Sequence, residues 1–217
     1  MQPISAVLFD LDGTLVDTAP DLAFALNTLL QEQGYAPLPY TDIRPVASHG
    51  SPGLLDLGFG IVSGHPEYSS LQQRFIALYL DNIARETVLF EGMDEVISEL
   101  EKTGIAWGIV TNKPAFLTEP LLVALGLIDR AACVVSGDTT AYSKPHPAPM
   151  FHACELINLP PESCLYVGDA ARDIEAAKNA NMQTMTARYG YLGTEDDPES
   201  WQADAIIDHP SELLQWI

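Results

Sequence analysis

Basic residues are scarce in this chain. Its 217 residues include 10 Lys plus Arg against 30 Asp plus Glu, a formal charge of −20. A chain this acidic has no electrostatic footing on nucleic acid or on an anionic membrane, so neither is expected as a partner. Cysteine is nearly as rare: Cys133, Cys154 and Cys164 are scattered, with no CxxC pair. That excludes a disulfide framework and points to buried thiols in a reducing compartment. No apolar run approaches the roughly 18 residues of a membrane span. The first residues carry no basic stretch followed by an apolar one, so no signal peptide is expected and a cytoplasmic protein is. Several catalytic motifs are missing too. There is no P-loop, no HExxH and no GxSxG. Gly58-Phe59-Gly60 lacks the third glycine of a dinucleotide fingerprint and follows no strand. His146 and His152 do not have zinc-ligand spacing and read as structural.

What is present is an apolar fraction of 47%, ample for a sizeable core. Short apolar runs alternate with helical patterns. Strands are expected at Ala6 to Phe9, Ile105 to Val110, Ala132 to Val135, Cys164 to Val167, Gln183 to Ala187 and Ala205 to Ile207. Helices are expected at Asp17 to Gln33 (with Thr18 as N-cap), Met93 to Thr103, Ala115 to Leu125, Pro147 to Leu156, Ala170 to Ala180 and Ser211 to Trp216. Such alternation implies an α/β fold, a parallel sheet covered on both faces. Residues 43 to 88 break the rhythm. They hold helical patterns, clearest from Arg74 to Arg85, and no buried strand. A Gly, Ser and Pro segment, Ser48 to Gly53, reads there as flexible.

The most informative stretch is Val7-Leu8-Phe9-Asp10-Leu11-Asp12-Gly13-Thr14-Leu15. It enters as a buried strand and ends in two acids and a glycine. In open parallel sheets, reactive groups sit beyond the carboxyl ends of strands. Gly13 lets the backbone turn so that N–H groups can face an anion. Two carboxylates beside an anion cradle call for a cation, and Mg²⁺ fits because it shares its shell with phosphate oxygens. A calcium EF-hand loop is excluded, because the glycine comes fourth rather than sixth. Surface acids after a strand are the plain alternative.

Other strand ends carry polar groups of a consistent kind. Thr111 and Asn112 follow the second strand, Lys144 follows the third after a loop, and Asp169 and Asp173 follow the fourth. Each has a plain reading: a helix-capping threonine, a solvated lysine, an N-cap and first-turn acid. Their order, acid pair, hydroxyl, lysine, acid pair, resembles the four motifs of the haloacid dehalogenase superfamily. The resemblance runs over the whole chain and implies a Rossmann-like core (1–17 and 88–217) with a small α-helical cap inserted after the first strand (18–87).

The resemblance implies an Mg²⁺-dependent phosphomonoesterase acting on a small-molecule substrate. Asp10 would be the nucleophile and Asp12 the general acid and base. Thr111, Asn112, Gly13, Asp12 and Lys144 would surround the phosphate. Asp10, Asp12 through its carbonyl, and Asp169 would hold the metal, with Asp173 behind them. Asp12 argues against dehalogenation, which in this superfamily needs no metal. Arg44, His49 and Gly50 in the cap are the candidate substrate contacts. Within the superfamily, Val110-Thr111-Asn112-Lys113-Pro114, Lys144-Pro145-His146-Pro147 and Arg188-Tyr189-Gly190-Tyr191 resemble phosphoglycolate phosphatases. The segments from Trp107 to Pro114 and from Trp201 to Pro210 are similar to phosphatases of N-acetylmuramic acid 6-phosphate, which is the expected substrate. Phosphoglycolate is the alternative and a phosphosugar mutase a third reading. A monomer or weak homodimer is expected.

Overall fold

The computed structural model describes residues 3–217. Its sheet grows outward from β1 (Ala6–Phe9), four residues with no exposed surface. Val7 and Phe9 enter one apolar cluster, and Ala6 and Leu8 enter another. This is the period-two partition of a strand covered on both faces. The chain continues through β2 (Val16–Asp17), α1 (Ala19–Glu32), α2 (Tyr40–Ile43), α3 (Gly50–Phe59), α4 (Tyr68–Leu80) and β3 (Val88–Leu89). It then alternates through α5 (Met93–Thr103), β4 (Ala106–Val110), α6 (Ala115–Ala124), β5 (Val134–Val135), α7 (Ala148–Ile157) and β6 (Cys164–Gly168). It finishes with α8 (Ala171–Asn179), β7 (Gln183–Ala187) and β8 (Ala205–Ile207).

The sheet has the order β5-β4-β1-β6-β7-β8, with every pairing parallel. This is the expected α/β architecture. Phe9 registers with Ile109 on one side and Val167 on the other. The carboxyl ends of β4, β1 and β6 therefore stand side by side. The strand order reverses at β1, and crevices open where that happens.

Helices α1, α3 and α4 form a helical unit around a further apolar cluster that includes Leu26, Leu30, Leu54 and Phe75 and that Leu117 and Tyr191 also join. The chain enters and leaves this unit through a two-stranded antiparallel ribbon, with Val16 opposite Leu89 and Asp17 opposite Val88. That ribbon is too short to carry a sequence pattern. The supposedly flexible segment Ser48 to Gly53 is helical: a 3₁₀ turn over Arg44–His49 leads into α3. Two glycines of α3, Gly53 and Gly58, serve packing. A Cβ on Gly58 would lie 2.9 Å from Leu26 Cδ1, and one on Gly53 would lie 2.4 Å from His49 Cβ. The helix expected at Arg74 to Arg85 begins and ends earlier. Leu71, Phe75, Leu78 and Tyr79 make its buried stripe, and the Asn82 side chain donates to the Leu78 carbonyl just past its end. The last expected helix, Ser211 to Trp216, is a 3₁₀ turn over Pro210–Gln215. No helix among the described residues is long and apolar enough to cross a membrane.

Asp21 fixes the junction between the helical unit and the sheet. It is fully buried near the start of α1. Its carboxylate accepts hydrogen bonds from Glu86 N (3.1 Å), Thr87 N (2.9 Å) and Thr87 Oγ1 (2.7 Å). Three donors on one buried carboxylate make a costly group to remove. Replacing Asp21 with Ala is expected to lower unfolding stability by about 2–4 kcal/mol, read as a drop in the urea midpoint at unchanged slope. A change under about 0.5 kcal/mol, the usual scale of a surface substitution, would show that the junction is held elsewhere.

Candidate active site

Each strand end delivers one group to the crevice. Asp10 follows β1 directly, and its N–H donates to the Val167 carbonyl at 2.9 Å, which fixes it beside β6. Thr111 follows β4 and is buried. Asp169 follows β6, and Asp173 sits in the first turn of α8. Lys144 arrives on the loop after β5 and is buried among them. Its Nζ lies 2.9 Å from Asp10 Oδ1, 2.7 Å from Asp173 Oδ1 and 2.9 Å from the Tyr166 hydroxyl. Burial alone would strip the Lys144 proton, but the Asp10 and Asp173 carboxylates outweigh it and hold the ammonium charged.

Asp10, Asp169 and Asp173 place carboxylate oxygens within 4.8 Å of one another. Lys144 is the one ammonium ion-paired within this trio. Asp169 shows the strain of that crowding. Burial, and then the charges of Asp10 and Asp173, push its carboxyl up to about 7. Asp10 Oδ1 is buried without a hydrogen bond, because the close Lys144 ammonium does not meet hydrogen-bond geometry. Both Asp173 oxygens are engaged, one by Lys144 and the other by the Ala170 N–H at 3.0 Å. Asp169 accepts only from neutral donors, Thr14, Ser48 and the Tyr191 N–H, and has no ammonium of its own, so Asp10 and Asp169 could hold a hard cation with oxygen ligands. Gly13 makes this proximity possible. Its φ is +87°, and a Cβ there would fall 2.2 Å from Asp169 Oδ2.

The remaining sequence-derived residues divide. Asp12 lies at the edge of the crevice, where Thr18 Oγ1 and Lys113 Nζ donate to it, the latter at 2.8 Å. Thr18 holds the N-cap position of α1, yet its hydroxyl serves Asp12 and not the helix. The helix can spare that cap, since the Ala19 N–H donates to the Tyr191 hydroxyl and a proline follows. The Gly13 N–H is spent on the Val16 carbonyl at 3.0 Å. The Asn112 carboxamide clamps the Lys144 backbone, donating to its carbonyl and accepting from its N–H, both at 3.0 Å. A cavity of about 690 Å³ opens between the crevice and the helical unit, bordered by Asp10, Asp12, Thr111 and Asn112, and by His49 and Gly50 opposite. Arg44 is not part of its lining. The Arg44 guanidinium donates to the carbonyls of Gly190 (2.9 Å) and Tyr189 (3.1 Å) and lies over the Tyr191 ring.

Four lining residues had no assigned role in the sequence. Lys113 joins Asp12 to the Tyr79 hydroxyl of α4, 2.9 Å away. Ser48 donates to Asp169 Oδ2 at 3.0 Å, beside the Tyr191 N–H at 2.8 Å. Arg172 donates to the Ser48 carbonyl at 2.8 Å. Gln72 donates to the Ser51 hydroxyl at 2.9 Å. Lys113 and Arg172 carried a signal, since each is a cation within a motif already singled out. Ser48 and Gln72 carried none.

A parallel sheet whose strand ends gather buried carboxylates and a buried lysine under a helical unit defines a hydrolase of the phosphoryl-transfer type. The chain belongs to the haloacid dehalogenase-like hydrolases, whose family model matches residues 7–187. It is 41% identical over 214 residues to the N-acetylmuramic acid 6-phosphate phosphatase of Pseudomonas putida, covering 99% of this chain and 96% of that protein. It is also 41% identical over 210 residues to the phosphoglycolate phosphatase of Xanthomonas campestris pv. campestris, covering 97% and 95%. A crystal structure of a predicted phosphoglycolate phosphatase from Haemophilus somnus superposes with a TM-score of 0.85 at 28% identity, covering 99% and 98%. The protein is a phosphoric monoester hydrolase.

The crowding at Asp169 has a measurable sign. Its carboxyl is raised in the folded chain to about 7 against an ordinary 3.8. Between those values the folded state holds a proton that the unfolded state has lost. The stability contributed by Asp169 is therefore fully present below about pH 4 and lost as pH rises to about 7. In EDTA, the stability of wild type relative to Asp169→Asn is expected to fall across that window, measured by urea unfolding at each pH. A saturating divalent cation should flatten the fall. A difference independent of pH in EDTA would show that Asp169 is ionised without help.

Proposed function

We propose that the chain hydrolyses N-acetylmuramic acid 6-phosphate through a phosphorylated Asp10, with residues 18–87 acting as a cap over the catalytic core. The observation that carries the chemistry is the buried set Asp10, Lys144 and Asp169 at adjacent strand ends. Asp10 is the nucleophile: a carboxylate oxygen attacks phosphorus as the ester P–O bond breaks. Asp12 gives its proton to the leaving alkoxide. A water molecule then attacks phosphorus, Asp12 takes its proton, and the bond to Asp10 breaks to release phosphate. Splitting one displacement into two lowers each barrier. Lys144 neutralises charge on Asp10 and on the incoming phosphoryl group. Thr111 supplies a hydroxyl to the phosphate, and Asn112 fixes the Lys144 loop.

Asp10, Asp169 and the Asp12 carbonyl would hold Mg²⁺, which supplies the positive charge that offsets repulsion between a carboxylate and a phosphate dianion. The excess of buried acid over buried ammonium fits that cation. The cavity supports the sugar. At about 690 Å³ it lies within the ~300–1,000 Å³ range of pockets that enclose drug-sized ligands. Leu22, Phe75, Ile76, Phe116 and Leu117 give it an apolar wall. A two-carbon acid would leave most of that space to water. The second reading, 2-phosphoglycolate, is favoured by the relatives that carry that name at the same identity.

Phosphate release from N-acetylmuramic acid 6-phosphate and from 2-phosphoglycolate, side by side, tests the reading. The sugar phosphate is expected to be preferred, and EDTA should abolish turnover of both. Asp10→Asn is expected to reduce kcat by at least about 10⁴-fold, since loss of a covalent nucleophile removes the route itself. Near-wild-type turnover by that variant would remove the nucleophile, and a strong preference for 2-phosphoglycolate would replace the substrate.

A further inference from the structure

The cations around the active site are almost all committed. Lys144 is held by Asp10, Asp173 and the Tyr166 hydroxyl. Lys113 is held by Asp12 and the Tyr79 hydroxyl, over whose ring it also sits. Arg44 is spent on two backbone carbonyls outside the cavity. Arg172 differs. It is the second residue of α8, it is half-buried, and it borders the cavity. Its guanidinium makes a single hydrogen bond, from Nη2 to the Ser48 carbonyl; the charges of Asp173, Asp10 and Asp169 act on it, but it forms no close ion pair with them among the described residues. A guanidinium has five N–H donors in a rigid fork. Most of them here have no protein acceptor.

An Arg with open donors beside a cavity is a site for an anion, and the planar fork matches a carboxylate through two parallel hydrogen bonds. The reacting phosphoryl group already has Lys144, whose ammonium is fixed between Asp10 and Asp173, and Thr111 at the end of β4. Arg172 reaches the cavity from the β6–α8 turn and touches Ser48 of the helical unit, so it stands between the carboxylates and the helices that face them. The rest of that wall is apolar or neutral, with Phe75, Ile76 and Gln72.

We infer that Arg172 determines specificity by binding a carboxylate on the substrate's organic body, so that the substrates are phosphate monoesters that also carry a carboxylate. This rests on the phosphatase reading of the same site and deepens it. It accommodates both readings of the substrate, since each is a phosphate ester of a carboxylic acid. It also explains how an acidic protein attracts a substrate with two anionic groups: each has its own cation.

The test compares substrate pairs that differ in the carboxylate. N-acetylmuramic acid 6-phosphate is set against N-acetylglucosamine 6-phosphate, the sugar without its lactyl acid, and 2-phosphoglycolate against ethyl phosphate. Wild type is expected to favour the carboxylated member of the pair it accepts. Arg172→Gln should raise KM for that member about 10- to 100-fold, the size of a lost charged hydrogen-bond pair. It should leave kcat and the uncarboxylated member within about twofold, so that discrimination collapses. Arg172→Lys keeps the charge and loses the fork, and should fall between. Thermal melts of each variant separate misfolding from lost recognition. Equal losses on both members of a pair would assign Arg172 to the phosphate or to the cap and overturn the inference. Unchanged discrimination would overturn it as well. A wild type that releases phosphate from none of the four esters would instead overturn the phosphatase reading.

Discussion

Like charges buried in a protein repel strongly, and Asp10, Asp169 and Asp173 are held with oxygens within 4.8 Å of one another. Much of the surrounding structure serves to keep them there. Parallel pairing of β1 with β4 and β6 fixes where their ends lie. Gly13 and Gly190 leave the space that Asp169 occupies; a Cβ on Gly190 would come 2.3 Å from Asp169 Cβ. Asn112 pins the loop that inserts Lys144. On the proposed mechanism, Asp10, with an oxygen free of hydrogen bonds and an ammonium beside it, would both ligate a cation and attack phosphorus.

The helical unit meets this charge centre through a few directed contacts. Ser48 reaches Asp169, Arg172 reaches the Ser48 carbonyl, Tyr79 reaches Lys113, and Arg44 lies across Tyr191. All four end on residues that belong to or contact the site carboxylates, or that border the cavity. Movement of the unit therefore has to break hydrogen bonds to the site itself. The Tyr191 hydroxyl ties down the start of α1, accepting from the Ala19 N–H and donating to Asp17.

The charge centre was legible in the sequence because its parts are local. An apolar run followed by an acid places Asp10, and a glycine-acid step after another run places Asp169. Lys144 and Asp173 followed from motif order. The contacts that join the two units were not legible, because they are made between distant residues. Lys113 and Tyr79 are 34 residues apart, and Ser48 and Asp169 are 121 apart. Asp21, with four donor contacts from Glu86 and Thr87, drew no reading from the sequence. The helix α3 was misread for a different reason. Its glycines signal flexibility by propensity, whereas close packing on Leu26 and His49 requires them.

The central claim is that Asp10 becomes covalently phosphorylated. The most direct measurement is a single-turnover reaction with Mg²⁺ and N-acetylmuramic acid 6-phosphate, quenched in acid before the second step, then digested and mapped by mass spectrometry. The account predicts a phosphoryl adduct confined to the peptide that contains Asp10 and absent from Asp10→Asn. Burst release of the free sugar ahead of phosphate, with no adduct on Asp10, would contradict it.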